Sequence, residues 1–169
     1  MPERRRRPKS KIDVEIIDDA GNWPDLDDSR ALIEAVAAEV AVEPALAIGK
    51  VSVTIALSDD ANVAALNGQF RSKPKPTNVL SFPPGPGSQP GYLGDIVLAL
   101  ETLRREATEQ DVPFEHHLQH LVVHGLLHLC GLDHQNDGDA ERMERLEIKI
   151  LSRLGVADPY TGALERDKR

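Results

Sequence analysis

The sequence lacks the features that would place the protein in a membrane or in an oxidising compartment. No uninterrupted apolar run approaches the roughly 20 residues that cross a bilayer. The single cysteine, Cys130, has no partner for an internal disulfide. The basic residues at the N-terminus are not followed by the apolar segment of a secretory signal. We therefore expect a cytoplasmic protein with no membrane partner, and the length of 169 residues predicts one domain with its own core.

The charge is distributed unevenly along the chain. Residues 1–11 hold six of the 20 basic residues and one of the 28 acidic residues. Residues 12–169 therefore carry a net charge of −13, unlike the basic surface typical of a nucleic-acid-binding protein. Because residues 1–11 contain little that a core could bury, we predict a disordered basic arm followed by a single domain over 12–169. An RNA ligand would be held by this arm, by local basic patches or by a metal ion.

Hydrophobic periodicity predicts a small α+β domain. Strands are expected around Val14–Ile17 and over 51–57, 78–82 and 95–100, and helices over 27–42, 60–70, 101–110, 114–130 and 139–154. Asp27, Asp28 and Ser29 are candidate N-caps of the first helix. The Pro/Gly-rich stretch 83–92 is predicted to be a loop, either a lid or a plain connection. This order predicts a mixed sheet of about four strands packed with helices.

All six histidines fall within one window of 19 residues, between His116 and His134. His124 and His128 are four residues apart on a predicted apolar helix, so both imidazoles project from one face. Gly131 can take a positive φ and reverse the chain, which returns His134 to the same point. Three imidazoles and an open fourth position form the arrangement of a catalytic zinc site, so we predict one divalent ion per chain. Unpaired imidazoles in an apolar helix would be costly, which disfavours histidines without a metal.

Several neighbours of these histidines have more than one interpretation. His120 and His117 lie about one and two helical turns before the predicted ligands, where they would support the site, contact substrate or lie at a solvated helix start. Cys130 lies about 200° around the helix from His128, which favours a core thiol over a fourth ligand. Asp133 would either accept a hydrogen bond from a ligand or cap the turn. Imidazole ligands suit zinc, nickel and cobalt alike.

The spacing of the three histidines also occurs in metzincin proteases, whose motif is H-E-x-x-H-x-x-G-x-x-H. This chain has Gly125 at the position of the general-base glutamate, and glycine cannot take a proton from water. Of the two methionines, Met143 lies in a helical stripe and the other is Met1, so a Met-turn is not evident. A metalloprotease is therefore disfavoured and stays an alternative.

The segment HGLLHLCGLDH, residues 124–134, resembles the signature HGxLHLxGxDH of the YbeY family of bacterial endoribonucleases. Residues 66–71 and 76–83 resemble the family's LNxxxR and PTxVLSFP blocks, and residues 94–96 resemble its GDI strand. Glu141, Met143, Glu147 and residues 158–160 resemble its C-terminal helix and end. Together these motifs span about residues 50–160, in the family's order. Leu132 departs from the aromatic residue common at that position.

The resemblance implies a metal-bearing cleft and a zinc-dependent endoribonuclease specific for single strands. It implies a role in rRNA maturation, including the 3′ end of small-subunit rRNA, and in ribosome quality control. The implied partners are single-stranded RNA, rRNA and the ribosome or its proteins, with no DNA. The implied zinc ligands are His124, His128 and His134. A ribosome assembly factor with a structural zinc is the alternative, disfavoured because structural zinc usually has four protein ligands.

The resemblance also implies that Arg71 is the functional arginine, which would bind the substrate and act in catalysis. Negative charge builds up on a phosphate during cleavage, and a guanidinium supplies a fixed fork of donors to it. Lys73 and Lys75 would either attract the phosphate or lie in a solvated loop. Other nearby side chains would either join the site or serve the fold: Thr77, Asn78, Ser81 and Asp95.

Overall fold

The computed structural model describes residues 10–71, 77–132 and 136–161, except for the side chain of Arg71. The predicted site residues Lys73, Lys75, Asp133 and His134 therefore lie outside the described residues, as do residues 1–9 of the predicted arm. The elements in chain order are β1 (Lys11–Asp18), α1 (Leu26–Ala41), β2 (Lys50–Ser58), α2 (Asp60–Arg71), β3 (Val79–Phe82), β4 (Tyr92–Ala99), α3 (Leu100–Gln110), α4 (Phe114–Leu129) and α5 (Asp137–Arg153).

The four strands form one mixed sheet in the order β1-β2-β4-β3, which confirms the predicted fold class. β1, β2 and β4 run parallel, and β3 pairs antiparallel with β4. Side chains alternate along β4: Ile96 and Leu98 enter the main core, whereas Val97 and Ala99 pack against Val63 of α2 in a smaller cluster. The sheet is therefore covered on both faces near β3 and β4. No helix in the described part of the chain is long and apolar enough to cross a membrane.

Two glycines bring β3 close to the helix that carries the histidines. A Cβ at Gly125 of α4 would lie 3.0 Å from Ile96 Cδ1 and 3.3 Å from Ser81 Oγ. A Cβ at Gly94, where φ is 130°, would lie 2.1 Å from the backbone oxygen of Phe82. Glycine at these positions lets α4 lie directly on the β3–β4 pair and lets the two strands pair there. A side chain at position 125 would require the Ile96 and Ser81 side chains to shift.

The first strand and the first helix both begin earlier in the chain than predicted. The N-cap of α1 is Asp25, with φ 38°, and its carboxylate accepts a hydrogen bond from the Asp28 N–H at 3.2 Å. The predicted caps were therefore placed too late in the sequence. The main chain of Lys11 donates to the Gly49 carbonyl at 2.8 Å, and Ser10 Oγ accepts from the Gly49 N–H at 3.1 Å. The folded part of the chain thus includes two residues that composition had assigned to the arm.

Glu43 joins the end of α1 to α5 through a buried carboxylate. Its side chain accepts from Lys149 Nζ at 3.0 Å and from Arg153 Nη2 at 3.1 Å, and the residue is 2% exposed. Burial alone would raise the pKa of this carboxyl, but the hydrogen bonds from the two cations outweigh it and hold the pKa below the ordinary 4.5. The ion pair therefore stabilises the fold above that pH and is lost as pH falls through the lower, folded-state pKa.

We expect Glu43→Gln to lower the free energy of unfolding at pH 7 by about 1–2 kcal/mol, because both cations remain partly exposed and can be rehydrated. Urea denaturation at pH 7 and pH 4 measures the difference, which should shrink at the lower pH, where wild-type Glu43 begins to take up a proton. Glu34→Gln, at an exposed α1 position, is the control and should change little at either pH. A difference that is equal at both pH values would contradict the assignment.

Candidate active-site cleft

A cleft of about 480 Å³ lies between α2, β3 and α4. Two of the three predicted metal ligands, His124 and His128, line it together from consecutive turns of α4. The other described residues that line it are Asn67, Thr77, Asn78, Val79, Leu80, Ser81, His120, Leu121 and Tyr160.

The amphipathic pattern of α4 aims these histidines at the cleft. Leu118, Val122 and Leu126 are fully buried in the main core. His120, His124 and His128 repeat at four-residue intervals along the remaining face and are half-buried. The prediction that the His124 and His128 imidazoles share one face is therefore confirmed, and His120 joins the same row.

The third predicted ligand, His134, follows the predicted chain reversal but lies outside the described residues. Gly131 has φ 98°, the left-handed conformation that the turn after α4 requires. Within residues 10–71, 77–132 and 136–161, no group of three or more His, Cys, Asp or Glu side chains is placed to hold a metal ion. The two predicted ligands that the structure describes, His124 and His128, fit a zinc-type ion, because neutral imidazole is a ligand such ions prefer.

Glu147 of α5 lies directly behind the row of histidines, with its side chain 1% exposed. Its Oε1 accepts from His124 Nδ1 at 2.8 Å, and its Oε2 accepts from His120 Nε2 at 3.0 Å and from the hydroxyl of Tyr160. Burial alone would raise the pKa of this carboxyl, but these three hydrogen bonds outweigh it and lower the pKa to about 2. Burial and its hydrogen bond to Glu147 raise the pKa of Tyr160. Tyr160 is therefore a neutral hydrogen-bond donor.

A second acid supports the other end of α4. His117 is 4% exposed, and its Nε2 lies 3.0 Å from Glu106 Oε1 on α3. The same carboxylate accepts from the side-chain amide of Asn78 at 3.0 Å. The hydrogen bond from His117 lowers the pKa of Glu106. His117 thus holds the cleft wall through Glu106 and Asn78, and it is neither solvated nor among the described residues that line the cleft.

The cleft wall is polar without being acidic. Thr77, Asn78 and Ser81 all line it, so these three candidates from the sequence face the site. None of the described lining residues carries a carboxylate, although the chain has a net charge of −8. Asn67 lines the cleft from α2, and position 71 follows it by one helical turn at the end of that helix.

Other candidates from the sequence lie away from the cleft. Burial raises the pKa of Cys130 to about 11, so its thiol stays protonated, and it is half-buried rather than within the core. Asp95 accepts from the hydroxyl of Tyr92 on the sheet. Residues 83–91 are exposed, and none of them is among the described residues that line the cleft. Leu132 is buried in the main core, where it serves packing.

Reasoning from residues alone missed Glu147, Glu106 and Asn67 as parts of the site. One signal for Glu147 was present: it lies among Met143, Leu146 and Ile150 in the apolar stripe of α5. A charged side chain in a buried stripe needs a partner, and the nearby histidines were the available donors. Glu106 carries no such signal, because it lies in the polar stretch 104–110. Asn67 is 7% exposed, but an uncharged amide beside Leu66 gives no comparable signal.

The fold and the cleft define a single α+β domain with helix-borne imidazoles facing a polar strand. A solution structure of a Thermotoga maritima protein shares this fold, with a TM-score of 0.55 and 24% sequence identity over 90% of this chain and 93% of that one.

The family model described as Endoribonuclease YbeY matches residues 17–155. A Sinorhizobium medicae protein named Endoribonuclease YbeY is 49% identical over an alignment of 159 residues that covers 88% of this chain and 95% of that protein. A protein of the same name from Bradyrhizobium diazoefficiens is 47% identical over an alignment of 154 residues that covers 87% of this chain and 84% of that protein. The chain therefore belongs to the endoribonuclease YbeY family, and the resemblance seen in its motifs is confirmed.

Proposed function

We propose that this chain is a zinc-dependent endoribonuclease that cuts single-stranded RNA and acts in rRNA maturation. His124, His128 and His134 would hold one zinc ion, and Arg71 would bind the phosphate and stabilise its charge. The observation that carries the proposal is the placement of His124 and His128 on one wall of a polar cleft. Family membership supports RNA as the substrate.

The chemistry divides between the ion and the chain. When bound, the ion lowers the pKa of a water molecule and polarises a phosphoryl oxygen. His124 and His128 hold the ion at one wall. Side-chain amides and hydroxyls of the opposite wall, from Asn67, Thr77 and Ser81, are placed to hydrogen-bond the phosphates and 2′-hydroxyls of a strand. None of the described lining residues would place a carboxylate in direct contact with a bound phosphate.

We infer that the site prefers a single strand to a duplex. The cleft is concave, and a flexible strand can bend one phosphate into it. An A-form duplex holds its phosphates on a stiff scaffold, and residues 12–169 carry a net charge of −13, which opposes a long run of phosphates. Precursor rRNA in the cytoplasm, free or within ribosomal particles, is the substrate we propose, with residues 1–9 as a further contact to RNA or to the ribosome.

An assay with matched RNAs tests this function. One end-labelled RNA is offered as a single strand and annealed to its complement, beside an unfolded protein substrate, with and without a chelator. We expect cutting of the single strand, little cutting of the duplex and no proteolysis. Chelation should abolish cutting and added zinc should restore it.

The same assay separates the alternatives. Fully metallated protein that binds rRNA precursors but cuts no RNA would support an assembly factor with a structural zinc. Proteolysis that a chelator stops would support a metalloprotease, although Gly125 occupies the position of the general-base glutamate of metzincin proteases. RNA cutting that resists chelation would contradict metal dependence.

A further inference from the structure

The two carboxylate oxygens of Glu147 contact different histidines. Oε1 meets one imidazole, at Nδ1 of His124, and Oε2 meets another, at Nε2 of His120. The two rings therefore face the same carboxylate through different nitrogens. Tyr160 adds a hydroxyl beside Oε2. All three partners line the cleft, whereas Glu147 itself is 0% exposed.

A carboxylate with these neighbours accepts hydrogen bonds and donates none. Each ring nitrogen that faces it must then carry the hydrogen. In a neutral imidazole the other nitrogen carries the lone pair. The lone pair of His124 is then on Nε2 and that of His120 is on Nδ1. One buried acid thus imposes opposite tautomers on two histidines that are one helical turn apart.

We propose that Glu147 is a positioning residue that fixes opposite tautomers on His124 and His120. Because Nδ1 of His124 donates its hydrogen to Glu147, the lone pair on Nε2 is available to bind a divalent ion. His120, which is not placed to use Nε2 in this way, presents its Nδ1 as a hydrogen-bond acceptor for substrate. This inference rests on the proposed function, in which His124 is a metal ligand. It assigns His120 to the substrate side of the cleft and Glu147 to the support of both.

A purely structural role for Glu147 would have different consequences. A buried acid that only ties α5 to α4 would affect stability, and any tautomer that keeps the helices together would serve. The positioning role requires a negative charge behind His124, which makes that ring a more basic ligand. Ring tautomers and metal affinity therefore separate the two roles, whereas thermal stability does not.

The variant that tests the inference is Glu147→Gln, which keeps the size of the side chain. Whichever way the new amide turns, its NH2 replaces an acceptor facing either His124 or His120, so one ring must change tautomer. Glu141→Gln is the matched control, since it removes an exposed charge from the same helix. Tyr160→Phe removes a donor and leaves the carboxylate.

Two measurements are made on each protein. Long-range ¹H–¹⁵N spectra of the metal-free chain report which nitrogen of each ring is protonated. Competition with a chromophoric chelator reports zinc affinity. We expect Nδ1–H on His124 and Nε2–H on His120 in the wild type, and a changed tautomer in Glu147→Gln. Zinc affinity should fall by about 10–100-fold in Glu147→Gln and by less than about 3-fold in both other variants.

Two results would overturn the inference. One is the same tautomer on both rings of the wild-type protein. This measurement does not depend on whether a variant folds. The other is a Glu147→Gln protein that folds and keeps its zinc affinity within about 3-fold, below the loss that a supporting group produces. A wild type that neither binds zinc nor cuts RNA contradicts the proposed function instead, and the metal-free tautomers then still decide the inference about the rings.

Discussion

Replacing His128 with alanine is expected to remove the metal ion and to lower RNA cleavage by about 1000-fold or more, since a bound ion supplies several kcal/mol of transition-state stabilisation. The side chain is half-buried at the cleft wall, so its loss leaves the core of α4 intact. Elemental analysis of purified protein gives the metal content per chain. Circular dichroism checks that the helices are retained.

His116→Ala is the matched control for this change. His116 lies on the same helix and is half-buried, but it is not among the residues that line the cleft. Its variant should keep the full metal content and the wild-type cleavage rate. Full retention of metal by His128→Ala would remove His128 from the site. Loss of metal in both variants would point to a general effect on α4 instead.

Local patterns were sufficient to predict most of the sheet and helices. In β2 the alternation of Val53, Ile55 and Leu57 with polar or small residues is a direct consequence of one buried face. The row of histidines on α4 follows from helical geometry in the same way. Such features depend only on residues close in sequence, so the local pattern is enough to predict them.

Features that depend on distant residues were not predictable. β4 begins at Tyr92, within a stretch that looked like a loop, because pairing with β2 at Ser52 extends it. Glu147 meets histidines 23 and 27 residues earlier in the chain. Tertiary packing alone brings these groups together.

The case for Arg71 combines a sequence motif with the position of residue 71 in the fold. Its proposed role comes from the family motif, since composition does not separate this arginine from the others. The fold adds that α2 ends at position 71, one turn after Asn67, which lines the cleft. A cation at this end of α2 would approach a phosphate from the wall opposite the histidines. That placement makes Arg71 the first candidate for charge stabilisation.

We expect Arg71→Ala to fold and to keep its metal but to cut single-stranded RNA about 100-fold more slowly, the scale of one lost transition-state contact. Arg71→Lys should recover only part of the rate, because an ammonium lacks the bidentate fork. The exposed Arg30 of α1 provides a matched control, and Arg30→Ala should cut at the wild-type rate. Single-turnover cleavage with saturating enzyme measures the chemical step in each protein. An unchanged rate in Arg71→Ala would exclude this arginine from the mechanism and leave the charge on the phosphate to the metal ion.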